Sequence, residues 1–219
     1  MKKYFLLSFK CLFLIALIIG CSTLQAKRAV NENTFVSSAP DLSVKVGSEF
    51  KFIGSPSETT QGPSVGGRDL RYRFESYCFV APDKDQAKKV VAISIQTVET
   101  YYVSDWYRDI KNTLDTGTID LRGKKYHYYT YPLQPGLNNY MVRHISQQGY
   151  AMPFGLTKVF GRVYGAKGDT LVKIYYYEAL NNAEFDNKSW KNTDGLSQKQ
   201  IDYLKDFNER ARSAFELIS

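Results

Sequence analysis

Alternation of apolar and polar residues predicts β-strands in the first half of the chain. From Leu42 to Ile53 the apolar side chains fall on every second residue, which is typical of a strand with one buried face. The same period recurs in residues 69–81 and 89–103. Residues 82–85 have turn composition, so we expect those two strands to pair antiparallel. Residues 54–67 are rich in Gly, Pro, Ser and Thr and are predicted to form a long loop.

Two further hairpins are predicted in the second half of the sequence. Residues 118–131 form the first, with a turn at Arg122-Gly123 and a second arm dense in tyrosine. Residues 157–164 and 170–180 form the second, around a loop that contains two glycines.

Helical signals are fewer than strand signals. A Ser-Asp cap at residues 104–105 precedes apolar residues at four-residue spacing. Residues 137–148 fit either a helix or a strand, and the glycine that follows favours the helix. Ser197 is expected to cap a last helix running to about Leu217, whose apolar stripe is interrupted by Asn208. The sequence therefore predicts an α+β domain: a single antiparallel sheet of about six strands, with helices packed mainly on one face and a C-terminal amphipathic helix.

The N-terminal segment has the pattern of a secretory signal. Residues 1–10 carry lysines and no acid, and residues 11–19 are apolar. That apolar run is about half of the 20 residues that a spanning helix needs, which disfavours an uncleaved transmembrane anchor. The sequence then reads Ile18-Ile19-Gly20-Cys21, which resembles the lipobox of bacterial lipoproteins. The resemblance covers only the signal, and it implies removal of residues 1–20 and acylation of Cys21.

The resemblance also implies a location and a domain organisation. Cys21 would hold the protein on a membrane of the cell envelope, because two or more acyl chains anchor stably. Ser22 rather than Asp after the cysteine resembles the outer-membrane class, on the periplasmic or surface side. Residues 21–40 are expected to be a flexible polar tether that could include a short strand at residues 34–37, and residues 41–219 a single domain. Ordinary cleavage after Ala26 is the weaker alternative, because Leu24 stands where a small residue is preferred.

Charge and cysteine content restrict the chemistry. Lys2, Lys3 and Lys10 leave with the signal, so the net charge falls from +7 to about +4. This mild value suits an anionic neighbour such as lipid headgroups or cell-wall polymer, or an ordinary solvated surface, and we expect no nucleic-acid partner. Cys78 is then the only free thiol, and strand alternation predicts that it points with the hydrophobic side chains. No Cys/His metal spacing is present, and we expect neither a metal nor a cofactor.

Tyrosine is the compositional outlier, with 17 residues. Tyrosine packs through its ring and keeps a polar hydroxyl, which suits binding surfaces. The alternative is that these residues line a sheet because their β-propensity is high. The candidate binding surface comprises Tyr101, Tyr126, Tyr128, Tyr129, Tyr131, Tyr175 and Tyr177.

Three functions are compatible with this sequence. The favoured one is a non-enzymatic binding or assembly module whose partner is an envelope protein or an envelope glycan. The first alternative is a carrier of hydrophobic ligands, which would need a large apolar cavity. The second is an envelope hydrolase built around His127 or His144, although no catalytic motif accompanies either histidine.

Overall fold

The computed structural model describes residues 26–61, 70–98, 113–134, 136, 139–165, 168–180, 190 and 195–219. The signal, Cys21 and Tyr101 lie outside these ranges, as does the predicted helix near residues 104–115 except at its end. Within them the chain forms twelve strands and two helices. The strands are β1 (Arg28–Asn31), β2 (Thr34–Ser38), β3 (Asp41–Val46), β4 (Lys51–Gly54), β5 (Ser57–Gln61), β6 (Arg71–Asp83), β7 (Gln86–Val98), β8 (Asp115–Leu121), β9 (Lys124–Leu133), β10 (Gly155–Tyr164), β11 (Thr170–Ala179) and β12 (Phe215–Leu217). The helices are α1 (Tyr140–Gln147) and α2 (Gln198–Ser213).

The strands form two antiparallel sheets. The small sheet has the order β1-β2-β3-β12. The large sheet has the order β4-β6-β7-β11-β10-β9-β8, and β5 also pairs with β6, beyond the end of β4. Two meanders make up the large sheet, and they join where β7 pairs with β11. The prediction of a single sheet of about six strands in an α+β domain is therefore wrong, because the described chain is mostly β with two sheets.

The two helices lie on opposite faces of the large sheet, which corrects the prediction that helices pack mainly on one face. On the α2 face, the large sheet packs against α2 and the small sheet. Ring contacts record this packing: Phe35 of β2 lies 4.4 Å from Tyr77, and Phe207 of α2 lies 5.5 Å from Tyr176, both between ring centroids. On the α1 face, the large sheet packs against α1, where Ile145 is buried. The large sheet is thus the central layer, and each face contributes to a hydrophobic core.

The expected flexible tether is shorter than predicted. β1 and β2 lie within residues 21–40, and Phe35 is fully buried in the core. Pairing of β1 with β2, and of β2 with β3, places these residues in the small sheet. Any tether must therefore end before Arg28 rather than at Pro40, so the folded domain begins much closer to Cys21.

The predicted loop over residues 54–67 also contains regular structure. Ser57–Gln61 forms β5, whose sequence has no apolar residue and which pairs with β6. Gly54, the last residue of β4, adopts a φ of 126°, a conformation that favours glycine, and β5 follows after two residues along the same edge of β6. Residues 62–69 lie outside the described ranges.

The last helix ends earlier than predicted. α2 begins with the expected Ser197 cap and ends at Ser213, and residues 215–217 form β12 against β3. Its buried face includes Phe207 and Ala211, whereas Ile201, another apolar residue of this helix, is 47% exposed. Phe215 and Leu217 could belong to a helix or to a strand, and pairing with β3 makes this segment a strand.

Candidate functional site

Four of the seven predicted tyrosines lie together on the α1 face. Two belong to β9 and two to β11, and β10 lies between these strands. The pairing register places these tyrosines in two rows that run across the three strands. Thr157 of β10 is flanked by Tyr131 of β9 and Tyr177 of β11, and Val159 is flanked by Tyr129 and Tyr175. Alternate residues of a strand share a face, so the four rings project from the same side. We call this group the tyrosine quartet: Tyr129, Tyr131, Tyr175 and Tyr177.

The quartet is packed rather than freely solvated. The Tyr129 and Tyr131 rings stack with their centroids 5.9 Å apart. Tyr177 is buried and its hydroxyl donates a hydrogen bond to the Pro153 carbonyl at 2.7 Å. Burial raises the pKa of Tyr131 to about 12 and raises that of Tyr175 well above its ordinary value. Tyr129, Tyr131 and Tyr175 are half-buried, so each keeps part of its ring surface accessible.

Helix α1 adjoins the quartet and is fixed by polar contacts at its start. Asn139 caps the helix, because its Oδ1 accepts a hydrogen bond from Val142 N at 2.9 Å. The Tyr140 hydroxyl then reaches the sheet, where it forms hydrogen bonds with Ser76 Oγ and, at 3.1 Å, with Ser94 Oγ. Both serines are buried, so these bonds satisfy hydroxyls that would otherwise lack partners.

A narrow apolar cleft lies between α1 and the quartet. Its volume is about 30 Å³, which exceeds the roughly 10–15 Å³ that a cavity needs to hold one water. Three members of the quartet line it together with Val90, Ala92, Met141, Ile145 and Met152. Ligand pockets generally measure about 300–1,000 Å³, so this cleft is far too small to hold a lipid chain in the described conformation.

The other predicted tyrosines do not join this surface. Tyr126 is fully buried on the α2 face, where its hydroxyl lies 2.7 Å from that of Tyr164. Tyr128 lies on the same face, with its ring centroid 3.9 Å from Lys158 Nζ. Tyr101 is outside the described residues. The predicted surface therefore divides between the two faces of the sheet, as strand alternation requires.

A buried lysine cluster on the α2 face was missed by the sequence analysis. Lys158 is 1% exposed, and its Nζ donates to Asn208 Oδ1 at 2.8 Å and to Thr130 Oγ1 at 3.2 Å. It also pairs with Asp115 Oδ2 at 3.2 Å, and Asn208 Nδ2 donates to the same oxygen at 2.9 Å. Burial lowers the pKa of Lys158, although the Asp115 carboxylate opposes this shift. Asn208, which interrupts the apolar stripe of α2, was the only sequence signal of this cluster.

A second polar cluster joins α2 to β11. Glu178 Oε2 accepts hydrogen bonds from the Tyr176 hydroxyl at 2.6 Å and from Arg210 Nε at 2.9 Å. Glu178 Oε1 accepts another from the Tyr203 hydroxyl at 3.0 Å. Burial alone would raise the pKa of Glu178, but the hydrogen bonds and the Arg210 charge outweigh it and lower the pKa. Both clusters connect α2 to the sheet, which indicates a structural role.

Neither histidine shows a hydrolase arrangement within the described chain. His127 is exposed on β9. His144 lies in α1, and its buried Nε2 has no hydrogen-bond partner among the described residues. Cys78 is fully buried, which confirms that it points with the hydrophobic residues, and burial raises its pKa to about 12. A reactive thiolate needs a low pKa and access to solvent, so Cys78 lacks both properties.

Comparisons with family models, with curated proteins and with solved structures gave no match. The described residues contain no group of three or more His, Cys, Asp or Glu side chains arranged to hold a metal ion. Neither described helix is long and apolar enough to cross a membrane.

Proposed function

We propose that this chain is a lipid-anchored protein of the bacterial cell envelope that binds a partner without catalysing a reaction. The anchor rests on the lipobox-like sequence that ends at Cys21. The binding surface is the tyrosine quartet with the adjoining margin of α1. The partner is an envelope protein or an envelope glycan, because both classes bind to tyrosine rings and three members of the quartet, being half-buried, keep part of their rings accessible.

The main observation in support of this binding surface is that the quartet forms two adjacent rows across three strands. Tyrosine provides a large contact area at low conformational entropy cost, which is why it is frequent in binding surfaces. The small cleft beneath α1 disfavours the carrier alternative. The unpartnered Nε2 of His144 disfavours the hydrolase alternative, since a catalytic histidine needs a nucleophile within hydrogen-bonding reach.

Site-specific photo-crosslinking in living cells tests the binding surface. A photoreactive amino acid replaces Tyr129 in one strain and Tyr128 in another. These neighbours on β9 are both half-buried and lie on opposite faces of the sheet, so they form a matched pair. We expect a discrete crosslinked product from position 129 and none from position 128. Equal products from both positions, or none from position 129, would contradict the proposed surface.

Three further measurements test the remaining parts of the proposal. Mass spectrometry of the wild-type protein should find acyl groups on Cys21, and Cys21→Ser should release the protein from membranes. A His127→Ala, His144→Ala double variant should keep wild-type function, because the proposal assigns neither histidine a role.

A further inference from the structure

A polar cleft of about 400 Å³ lies on the α2 face, where Arg28 of β1 contacts Glu75 of β6. It lies on the opposite face from the tyrosine quartet. Its polar lining is supplied by Arg28, Ser55, Ser57, Arg73, Glu75 and Thr97. These side chains lie together because β5 and β7 flank β6 at this point. Ser57 of β5 is the register partner of Glu75, and Thr97 of β7 is the register partner of Arg73.

The cleft contains two guanidinium groups and one carboxylate. Arg28 Nη1 lies 2.6 Å from Glu75 Oε2, and Arg73 Nη2 lies 2.8 Å from Glu75 Oε1. Both carboxylate oxygens are therefore engaged, and the three groups together carry one net positive charge. Arg28 Nη2 donates to the Ala39 carbonyl at 3.0 Å, whereas the buried Nε of Arg28 donates to no described acceptor. The Arg73 side chain is 48% exposed, so the cleft retains donors for a further anion.

This donor set matches the chemistry of a phosphodiester. Guanidinium groups form charge-assisted hydrogen bonds to phosphate oxygens and are common in phosphate sites. Ser55 and Ser57 are exposed, and their hydroxyls can donate hydrogen bonds to the oxygens of a phosphate monoester or diester. One net positive charge complements the single negative charge of a phosphodiester. Arg71, two residues from Arg73 on the same face, is also exposed and adds positive charge nearby.

The position of the cleft along the chain favours a membrane lipid as the source of this phosphodiester. Ala26 lines the cleft, and only residues 22–25 separate it from Cys21. An extended segment of this length spans at most about 18 Å. If Cys21 is acylated, the cleft must lie within that distance of the lipid headgroups; this step rests on the proposed function. We propose that the cleft between β1 and β6 binds the phosphodiester headgroup of an anionic phospholipid, which would fix the orientation of the domain on the membrane.

Calorimetric titration of the full lipidated protein with soluble glycerophosphoglycerol tests the cleft. The protein is held in maltoside micelles, which contain no phosphate. We expect saturable binding that Arg73→Gln weakens about fivefold, which corresponds to the net contribution of one hydrogen bond to the phosphate. Arg143→Gln is the matched control, because Arg143 is 47% exposed, pairs with Glu58 at 3.0 Å and belongs to α1 on the opposite face. We expect this control to change the affinity less than twofold.

A second titration in phosphatidylglycerol vesicles distinguishes the source of the ligand. If headgroups occupy the cleft, soluble glycerophosphoglycerol should no longer bind to the reconstituted protein. Unchanged binding in the vesicles would overturn the headgroup assignment and indicate a free phosphate ester. Absent binding in micelles, or equal weakening by Arg73→Gln and Arg143→Gln, would overturn the cleft itself. If Arg73→Gln does not fold, Ser57→Ala replaces it, since that change removes one exposed hydroxyl and no charge.

Failure of the anchor and failure of the cleft give different results. Saturable binding in micelles with no acyl mass on Cys21 would remove the membrane argument but leave an anion site. Acylated Cys21 without anion binding would leave the anchor and remove the cleft.

Discussion

The hydrogen bonds to Glu178 allow a quantitative test of how α2 is held. Glu178→Gln keeps the size of the side chain and removes its charge. The carboxylate is 13% exposed and accepts three hydrogen bonds, two of them on Oε2. Hydrogen bonds to charged groups are worth about 1.5–3 kcal/mol each. Glutamine keeps one oxygen and can turn it toward two of the donors, so only part of this energy is lost.

We therefore expect Glu178→Gln to lower the free energy of unfolding by about 2–3 kcal/mol at pH 7. Urea unfolding followed by far-UV circular dichroism measures this quantity. Glu209→Gln is the control, because Glu209 is exposed on α2 and surface changes of this kind have effects within about 0.5 kcal/mol.

The effect of Glu178→Gln on the free energy of unfolding should depend on pH. The pKa of Glu178 is lowered in the folded protein from its usual 4.5, so the unfolded chain binds the proton more readily. The carboxylate therefore contributes stability above the unfolded pKa, and that contribution is lost as the pH falls through the lower, folded pKa. Glutamine does not titrate, so the difference between wild type and Glu178→Gln should shrink from pH 7 to pH 3. A difference that stays constant over this range, or equal effects of Glu178→Gln and Glu209→Gln at pH 7, would refute the reasoning.

Two further predictions concern buried groups. Lys158→Met should lower the free energy of unfolding by about 2–3 kcal/mol, because it leaves the Asp115 carboxylate without its cation. Adding Asp115→Asn should recover about 1 kcal/mol of this loss. Strictly additive effects in the double-mutant cycle would show that the two groups do not interact. Cys78 should react with thiol reagents only as fast as the protein unfolds, since burial raises its pKa to about 12, and rapid labelling of the native protein would mean that β6 is wrongly oriented.

Strands with one apolar face and a local turn were predictable from the sequence. The hairpin of β8 and β9 turns at Arg122 and Gly123, whose φ values of 54° and 72° are both in the left-handed region. The turn of β6 and β7 has Lys84 at a φ of 57°. In these segments alternation and turn residues act over a few positions, so the sequence contains enough local information. The helix at residues 140–147 was also expected, and it has the predicted glycine after its end.

The unpredicted elements depend on distant partners. β5 has no apolar residue, and its only identifiable reason to be extended is pairing with β6. β12 is three residues long and forms because β3 has a free edge beside it. Neither sequence shows a period of its own, so no local pattern predicts them. The second sheet exists because β3 pairs with β2 and β12 rather than with the large sheet, and β2 lies in the segment that was predicted to be a tether.

Only part of the candidate site could be predicted from local sequence patterns. Alternation within β9 separates Tyr126 and Tyr128 from Tyr129 and Tyr131, so the division between faces was already implicit in the sequence. The alignment of β9 with β11 across β10 was not, because register between strands depends on the whole sheet. Lys158 was missed because its partners come from β8, β9 and α2.

The order of strands in the small sheet has a consequence for biogenesis. β3 receives one neighbour, β2, a few residues earlier in the chain and the other, β12, only after all the strands of the large sheet. The small sheet cannot close until residues 215–217 have been synthesised, and contacts of such long sequence separation form slowly. A chain that lacks residues 215–217 would expose the edge of β3, which is a ready template for misassembly with another copy.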